Sequence, residues 1–126
     1  MDLSKPNYVS VSNFTNNKGT TSVLQDMLNE AFIVKRIYFL HGSKIDSRGG
    51  HGHKKLAQIV LSLKNDHVIN LSDGKETTRF PLLEAGNAIY IPPGFWRDIE
   101  VLKSDSILLI LASEKYDEND YLHTYS

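Results

Sequence analysis

The hydrophobic residues of this chain fall into many short runs rather than a few long ones. The runs are rich in β-branched and aromatic side chains, and turn-forming residues bound them. Such a pattern predicts β-strands. Strands are predicted over residues 33–40, 56–63, 68–71, 77–80, 88–91, 98–101 and 106–112. A shorter strand is expected around Tyr8, Val9 and Val11.

Turn chemistry separates these predicted strands. Asp73-Gly74 is a strong hairpin signal because a positive φ costs little there, and Asn65-Asp66 predicts another turn. Residues 15–21 are Asn-, Thr- and Gly-rich and predict a tight loop, and residues 41–50 predict a polar loop. Residues 22–32 carry apolar residues at roughly helical spacing, but the segment is too short to separate a helix from a loop with one helical turn.

Many short strands with few helical patterns indicate an all-β fold, namely one antiparallel sandwich or barrel. A chain of 126 residues supports one domain, so we expect residues 1–126 to form a single unit. The acidic, aromatic tail over 113–126 is expected to pack as a short helix or an extended arm.

Composition excludes several classes of function. The formal net charge of -1 gives no electrostatic footprint of a nucleic-acid binder. No apolar run approaches the ~20 residues that a membrane span requires, and the first residues show no signal-peptide pattern. The absence of cysteine excludes thiolate metal sites and a cysteine nucleophile, and it fits a reducing compartment. We therefore expect a soluble, cytoplasmic protein that binds neither nucleic acid nor a membrane.

The candidate chemistry lies in Arg48-Gly-Gly-His-Gly-His53. His51 and His53, separated by one glycine, project to the same side of an extended backbone. Histidine titrates near neutral pH, so this pair suits proton transfer. The alternative is a structural pair at the start of a strand.

A second set of polar residues alternates along the predicted strand over 33–40. Arg36 and Tyr38 share one face, opposite Ile37 and Phe39. They are either part of a site or a polar row that faces solvent.

Two segments resemble the two motifs of the cupin superfamily, which are small double-stranded β-helix or jelly-roll barrels. The first cupin motif is His-x-His followed by Glu, and here His51 and His53 are followed by Gln58. The second is Gly, a short strand and Pro-x-Gly-x-x-His, and here it runs from Gly86 to Arg97. The resemblance implies a cupin-type antiparallel β-barrel.

Two departures from the cupin pattern concern metal binding. Gln58 and Arg97 stand at two of the four positions where the family has metal ligands. Glutamine is a poor metal ligand, and the guanidinium of an arginine repels a cation. Two histidines alone are too few ligands for a tight site. We therefore expect no metal, and a metal-dependent cupin oxygenase is an alternative that metal analysis would test.

A narrower resemblance covers most of the chain from Ile33 onward. Its residues are Lys35-Arg-Ile-Tyr38, Arg48-Gly-Gly-His-Gly-His-Lys-Lys-Leu56 and Leu111-Ala-Ser-Glu-Lys-Tyr-Asp-Glu-Asn-Asp-Tyr121. These runs resemble the sugar 3,4-ketoisomerases of nucleotide-deoxysugar pathways. The resemblance implies a cofactor-independent homodimer that moves the carbonyl of dTDP-4-keto-6-deoxyglucose from C4 to C3. Its product would enter the biosynthesis of 3-amino-3,6-dideoxy sugars for surface polysaccharides.

The same resemblance implies roles for individual residues. The expected catalytic residues are His51, His53 and Tyr38, and the expected substrate-binding residues are Arg36, Arg48, Lys18 and Arg97. We expect His51 to be the principal base and His53 its shuttle partner or a donor to the sugar oxygens. Tyr38 and Arg36 are expected to meet the developing oxyanion, and Arg48 and Lys18 to meet the diphosphate. Lys18 stands where the family has an arginine, so it offers a point charge instead of a bidentate fork.

Two other functions stay open from sequence: a 3,5-epimerase of the same sugar nucleotides, and a sugar-nucleotide-binding cupin without turnover. The remaining notable residues have structural interpretations. Phe95 and Trp96 are expected in the barrel core or a dimer interface, and Lys54-Lys55 in a solvated strand entry. The other histidines have no partners by spacing and are expected at the surface, namely His41, His67 and His123.

Overall fold

A computed structural model describes residues 2–42 and 46–122; the side chains of 46–50 and 122 lie outside the description. Its strands are β1 (Asn7–Val9), β2 (Ser12–Asn16), β3 (Gly19–Val23), β4 (Arg36–Gly42), β5 (Asp46–His53), β6 (Gln58–Lys64), β7 (His67–Ser72), β8 (Thr77–Leu82), β9 (Ala88–Ile91), β10 (Trp96–Val101), β11 (Ser106–Ala112) and β12 (Tyr121–Leu122). The described part of the chain adds one 3₁₀ helix, Glu118–Asp120. The predicted all-β class is confirmed.

Two five-stranded antiparallel sheets form the body of the protein. The first has the order β1-β9-β6-β11-β4, and the second has the order β12-β5-β10-β7-β8. The strands β2 and β3 form a separate two-stranded hairpin. Non-sequential neighbours such as β6-β11 and β5-β10 bring residues that are far apart in sequence onto adjacent strands.

The main hydrophobic core lies between the two sheets. Its buried side chains come from both sheets and are Val60, Ile69, Leu71, Leu82, Ile89, Ile91, Ile99, Val101, Leu108 and Ile110. Phe95 packs against this core, which agrees with its predicted structural role. The apolar runs are interrupted at turns because each strand must reverse direction to return across this core.

A second apolar cluster covers the outer face of the first sheet. Residues from the N-terminal third, including Val9, Val11 and Phe32, pack onto outward side chains of β6, β9 and β11. The strand β6 is consequently buried on both faces over 58–62. This explains why Ile59, Val60 and Leu61 follow one another without alternating polar residues.

Hairpin predictions agree with the structure. Residues 73–76 join β7 to β8, Gly74 has φ +96°, and the Asp73 carboxylate accepts hydrogen bonds from the backbone N–H groups of Lys75 and Glu76 at 2.8 and 2.9 Å. The predicted loop over residues 15–21 is correct only at its centre: residues 17 and 18 form a tight turn, whereas the residues on either side belong to β2 and β3 because the two strands pair up to the turn. The segment 22–32, left open above, forms turns and one isolated bridge between Leu28 and Phe32.

The predicted polar loop over residues 41–50 is wrong. The strand β4 continues to Gly42, and β5 begins at Asp46 and pairs with β10. Polar residues and glycines form this strand because ladder hydrogen bonds come from the backbone. The apolar alternation on which the sequence prediction depended is absent there.

The predicted surface position of His67 is also wrong, because its side chain is 2% exposed. Its Nδ1 lies 2.8 Å from the Ser62 hydroxyl, which donates to the backbone oxygen of Leu82 at 2.8 Å. A buried imidazole is tolerated where a polar partner meets it, and here the partner comes from the preceding strand. His41 is exposed as predicted, and His123 lies outside the described residues.

The C-terminal tail returns to the body of the protein. The Asp117 side chain caps the 3₁₀ helix by accepting from the Asn119 N–H, and β12 then pairs with β5 so that Tyr121 lies opposite His53. The tail therefore contains both a short helix and an extended segment. No helix in the described residues is long and apolar enough to cross a membrane.

Candidate active site

A cavity of about 270 Å³ opens at one end of the core between the sheets. Six core side chains form its apolar wall: Leu40, Val60, Ile69, Ile91, Ile99 and Ile110. Its polar lining is Arg36, Tyr38, His51, Gln58, Arg97 and Tyr121. A concave apolar pocket with a few convergent polar groups is typical of a small-molecule site.

The strand β5 places the two histidines with the help of an irregularity. Arg97 of β10 pairs with His51, whereas Asp98 pairs with Gly49, so the register skips Gly50. Such a β-bulge re-aims the side chains around it. The two histidine rings lie 5.0 Å apart between centroids, as their spacing predicts.

The two histidines have different surroundings. His51 lines the cavity, whereas His53 is 1% exposed. Burial, followed by the charge of Arg97 and by His51, lowers the pKa of His53 to about 4, against an opposing contribution from Asp120. His53 is therefore neutral at pH 7.

A chain of hydrogen bonds joins three strands across the cavity wall. Arg97 of β10 donates to the Gln58 side-chain oxygen, and the Gln58 amide donates to the Tyr38 hydroxyl at 2.8 Å. Arg97 also donates to the backbone oxygen of Phe95 at 3.1 Å. Burial raises the pKa of Tyr38 above its usual value, with Arg36 opposing, so its phenol is protonated at neutral pH.

Arg36 lies at the rim of the cavity. Its guanidinium carbon is 5.0 Å from the Tyr38 ring centroid and 5.7 Å from that of Tyr116. Its Nε is buried without a hydrogen-bond partner in the described structure. Arg36 and Tyr38 thus point into the cavity together, which argues against a polar row that faces solvent.

The tail supplies two site residues that the sequence interpretation missed. The ring of Tyr121 stacks on His51 at 5.1 Å and lies 4.6 Å from His53. The Asp120 carboxylate, 7% exposed, has Oδ2 3.3 Å from His53 Nδ1 and accepts from the backbone N–H groups of Lys55 and Leu56 at 2.6 and 3.2 Å. The only sequence signal for them was the tail run that resembles the ketoisomerases.

The cavity does not gather every predicted site residue. Lys18 is exposed at the tip of the β2–β3 hairpin, which pairs with neither large sheet, and it does not line the cavity. The backbone of Arg48 lies in β5 opposite Ile99, but its side chain is outside the described residues. The others lie together around the cavity, with His53 behind His51.

The donor set does not fit a metal ion. The four positions that match the cupin ligands are His51, His53, Gln58 and Arg97, and the last is a buried guanidinium that pairs with Gln58. Among the described residues no group of three or more His, Cys, Asp or Glu side chains converges in a way that could hold a metal. A fixed positive charge beside Gln58 disfavours a cation at this position.

Comparison with known proteins finds sugar 3,4-ketoisomerases among the proteins similar to this chain. The chain is 29% identical over 118 residues to the TDP-4-oxo-6-deoxy-α-D-glucose-3,4-oxoisomerase of Aneurinibacillus thermoaerophilus, covering 93% of this chain and 85% of that relative. A 3,4-ketoisomerase from Helicobacter canadensis superposes with a TM-score of 0.87 at 29% identity, covering 95% of this chain and 91% of the other. The sugar 3,4-ketoisomerase QdtA of Thermoanaerobacterium thermosaccharolyticum, solved with TDP, gives 0.87 at 30% identity, with 95% and 88% covered.

A more distant structural neighbour is ChmJ, a 3'-monoepimerase from Streptomyces bikiniensis, at 15% identity and a TM-score of 0.82. That likeness shows the fold alone. At the level of whole families, residues 4–126 match the model described as FdtA, WxcM-like, C-terminal. The chain belongs to this FdtA/WxcM-like family, as the three sequence runs predicted.

Proposed function

We propose that this protein is a sugar-nucleotide 3,4-ketoisomerase that acts on dTDP-4-keto-6-deoxyglucose. The reaction class agrees with that of the relatives described above. The observation that carries the proposal is the cavity itself, in which His51, Tyr38 and Arg36 converge on one apolar pocket. These are an imidazole base, a phenolic donor and a cation, and an enolisation requires groups of these kinds.

The reaction moves two protons and needs no external oxidant. A base removes the hydrogen at C3, which the neighbouring C4 carbonyl acidifies, and the electron pair forms a C3–C4 double bond while the C4 oxygen takes a proton. The C3 hydroxyl then loses its proton as C4 gains one. The carbonyl is now at C3, and the numbers of atoms and electrons are unchanged.

The geometry supports different roles for the two histidines. His51 lines the cavity and is the principal base. His53 is neutral and almost fully buried behind it, which favours a shuttle role over direct contact with sugar oxygens. Tyr38 donates to the C4 oxygen, and Arg36, whose Nε has no partner in the described structure, stabilises the enolate charge. Arg97 contacts the substrate from β10, next to Gln58.

The proposal is tested by separating binding from turnover. His51→Asn should keep dTDP affinity within a few-fold and reduce turnover by on the order of 10²-fold or more. Gln25→Asn, at an exposed position outside the cavity lining and outside β4, is the control and should keep wild-type turnover. Product is followed by NMR of the sugar. If His51→Asn retains most of the rate, His51 is not the base.

Homodimerisation is part of the proposal. On the outer face of β4, Ile37 is 56% and Phe39 51% exposed. Ile37 pairs with Leu111 and Phe39 with Leu109, and both leucines belong to the second apolar cluster. The two exposed side chains therefore extend that cluster to the protein surface. Exposed continuations of a core are typical of interfaces between subunits. The outer face of the second sheet is polar by contrast, with Arg79 beside Glu100.

The oligomeric state can be measured by light scattering coupled to gel filtration. The wild type should be a dimer and Phe39→Asp a monomer. Thr78→Asp, an exposed position on β8, should remain dimeric. A monomeric wild type would contradict this part of the proposal.

We propose that in a dimer Lys18 of one subunit meets the diphosphate bound in its partner's cavity, since the hairpin that carries Lys18 pairs with neither large sheet of its own subunit. Arg48 is the other proposed diphosphate ligand. We propose a cytoplasmic location, where nucleotide-activated sugars are made, and no role in binding nucleic acid or membranes.

A further inference from the structure

Gln58 is a buried side chain whose amide joins two residues of the cavity. It is 3% exposed, and it donates to the Tyr38 hydroxyl while accepting from Arg97. None of the reaction steps described above uses it. Gln58 also stands where the cupin pattern has a glutamate, so the choice of an amide requires an explanation.

The orientation of this amide follows from its partners. Arginine has donors only, so the Gln58 atom that faces Arg97 must be the oxygen. The atom that faces Tyr38 is then the NH₂ group, which cannot accept. The Tyr38 oxygen is therefore an acceptor in this pair. The phenolic proton of Tyr38 does not point at Gln58.

We infer that Gln58 is a positioning residue that directs the Tyr38 O–H donor into the cavity, toward the C4 oxygen of the sugar. This inference rests on the proposed function. Donation runs in one direction from Arg97 through Gln58 to Tyr38. Hydrogen bonds in such a chain polarise one another, so the Tyr38 proton becomes a better donor.

A carboxylate at position 58 would reverse the last bond of this chain. Its two oxygens would accept from Arg97 and also from Tyr38, and the phenolic proton would point away from the cavity. Glutamine and glutamate have nearly the same shape, so packing does not distinguish them. The two side chains differ in the direction of the hydrogen bond to Tyr38. This difference accounts for glutamine at the position where cupins that bind metal have an anionic ligand.

The test compares Gln58→Glu with Gln58→Met. Gln58→Glu should lower kcat by on the order of 10²-fold with KM within a few-fold, because it removes one donor to the developing oxyanion. Gln58→Met leaves the Tyr38 proton available and should lower kcat less. A purely structural role predicts the opposite order, because the carboxylate keeps the shape and pairs with Arg97, whereas methionine removes a partner of a buried guanidinium.

Two controls complete the test. Gln25→Glu makes the same change at an exposed position and should keep wild-type kcat. In a Tyr38→Phe background, Gln58→Glu should add little further loss, since no phenolic proton remains to be redirected. This comparison decides the matter even if Gln58→Met does not fold.

Each contrary outcome has a distinct meaning. An unchanged kcat in Gln58→Glu, or losses that multiply fully with Tyr38→Phe, would overturn the inference alone. Failure of the unsubstituted protein to isomerise its substrate would overturn the proposed function and this inference with it.

Discussion

The environment of His53 makes the stability of the protein depend on pH in a way that can be calculated. His53 is 1% exposed, and burial beside Arg97 and His51 lowers its pKa from 6.5 to about 4. Between these values the unfolded chain binds a proton at His53 and the folded chain does not. Folding is therefore favoured fully above pH 6.5, and this contribution is lost as the pH falls toward the folded pKa.

The size of this effect follows from the two pKa values. Each pH unit between them changes the free energy of unfolding by about 1.4 kcal/mol, so the loss from pH 7 to pH 4 is about 3 kcal/mol for His53. Other groups titrate in the same range, and burial lowers the pKa of His67 in the same direction. A comparison with His53→Gln, which does not titrate, cancels those contributions.

Urea unfolding at pH 7, 6, 5 and 4, at constant ionic strength, is the appropriate assay. The free energy of unfolding of the wild type should fall relative to that of His53→Gln by about 3 kcal/mol across this range. Folded-state NMR should show that the His53 ring titrates far below 6.5. A constant difference between the two proteins, or a ring midpoint near 6.5, would refute the reasoning about this buried imidazole.

Three further predictions concern buried hydrogen bonds and one backbone conformation. Asp120→Asn should cost about 1–3 kcal/mol of unfolding free energy in urea, because the Asp120 carboxylate accepts from two backbone N–H groups. The same change should lower kcat. The control is Asp117→Asn, which can still cap the 3₁₀ helix and should alter neither the stability nor kcat. Ser62→Ala should destabilise by about 1–3 kcal/mol because it removes the hydroxyl that meets the buried Nδ1 of His67; a cost near zero would contradict that bridge. Gly94→Ala should cost about 1–2 kcal/mol in thermal melts, from its φ of +88° alone, because a Cβ there meets nothing within 4 Å.

The sequence was most informative where side chains alone determine structure. Apolar runs bounded by turn residues predicted the central strands, because burial between the sheets requires those residues. The strand β5 was missed because backbone pairing with β10 holds it, and a ladder leaves no hydrophobic signal. His67 was misplaced because Ser62, its partner, shows no recognisable spacing from it.

The candidate active site could likewise be predicted only where residue type and local spacing carry the signal. His51 and His53 were recognised because their type and spacing indicate proton chemistry, and the structure places them side by side. Asp120 reaches them only because the tail returns to pair with β5, a long-range contact that no local pattern predicts. Gln58 looked like a lost metal ligand, and only its contacts with Arg97 and Tyr38 suggest another purpose.

The most direct test of the central claim is the fate of the C3 and C4 hydrogens. The purified protein is incubated with dTDP-4-keto-6-deoxyglucose in D₂O, and the sugar is followed by NMR. Isomerisation predicts a carbonyl at C3 and solvent deuterium at C4. A carbonyl that stays at C4 while deuterium enters C3 and C5 would indicate an epimerase, and a bound but unchanged sugar would indicate a binding module; either result would contradict the account.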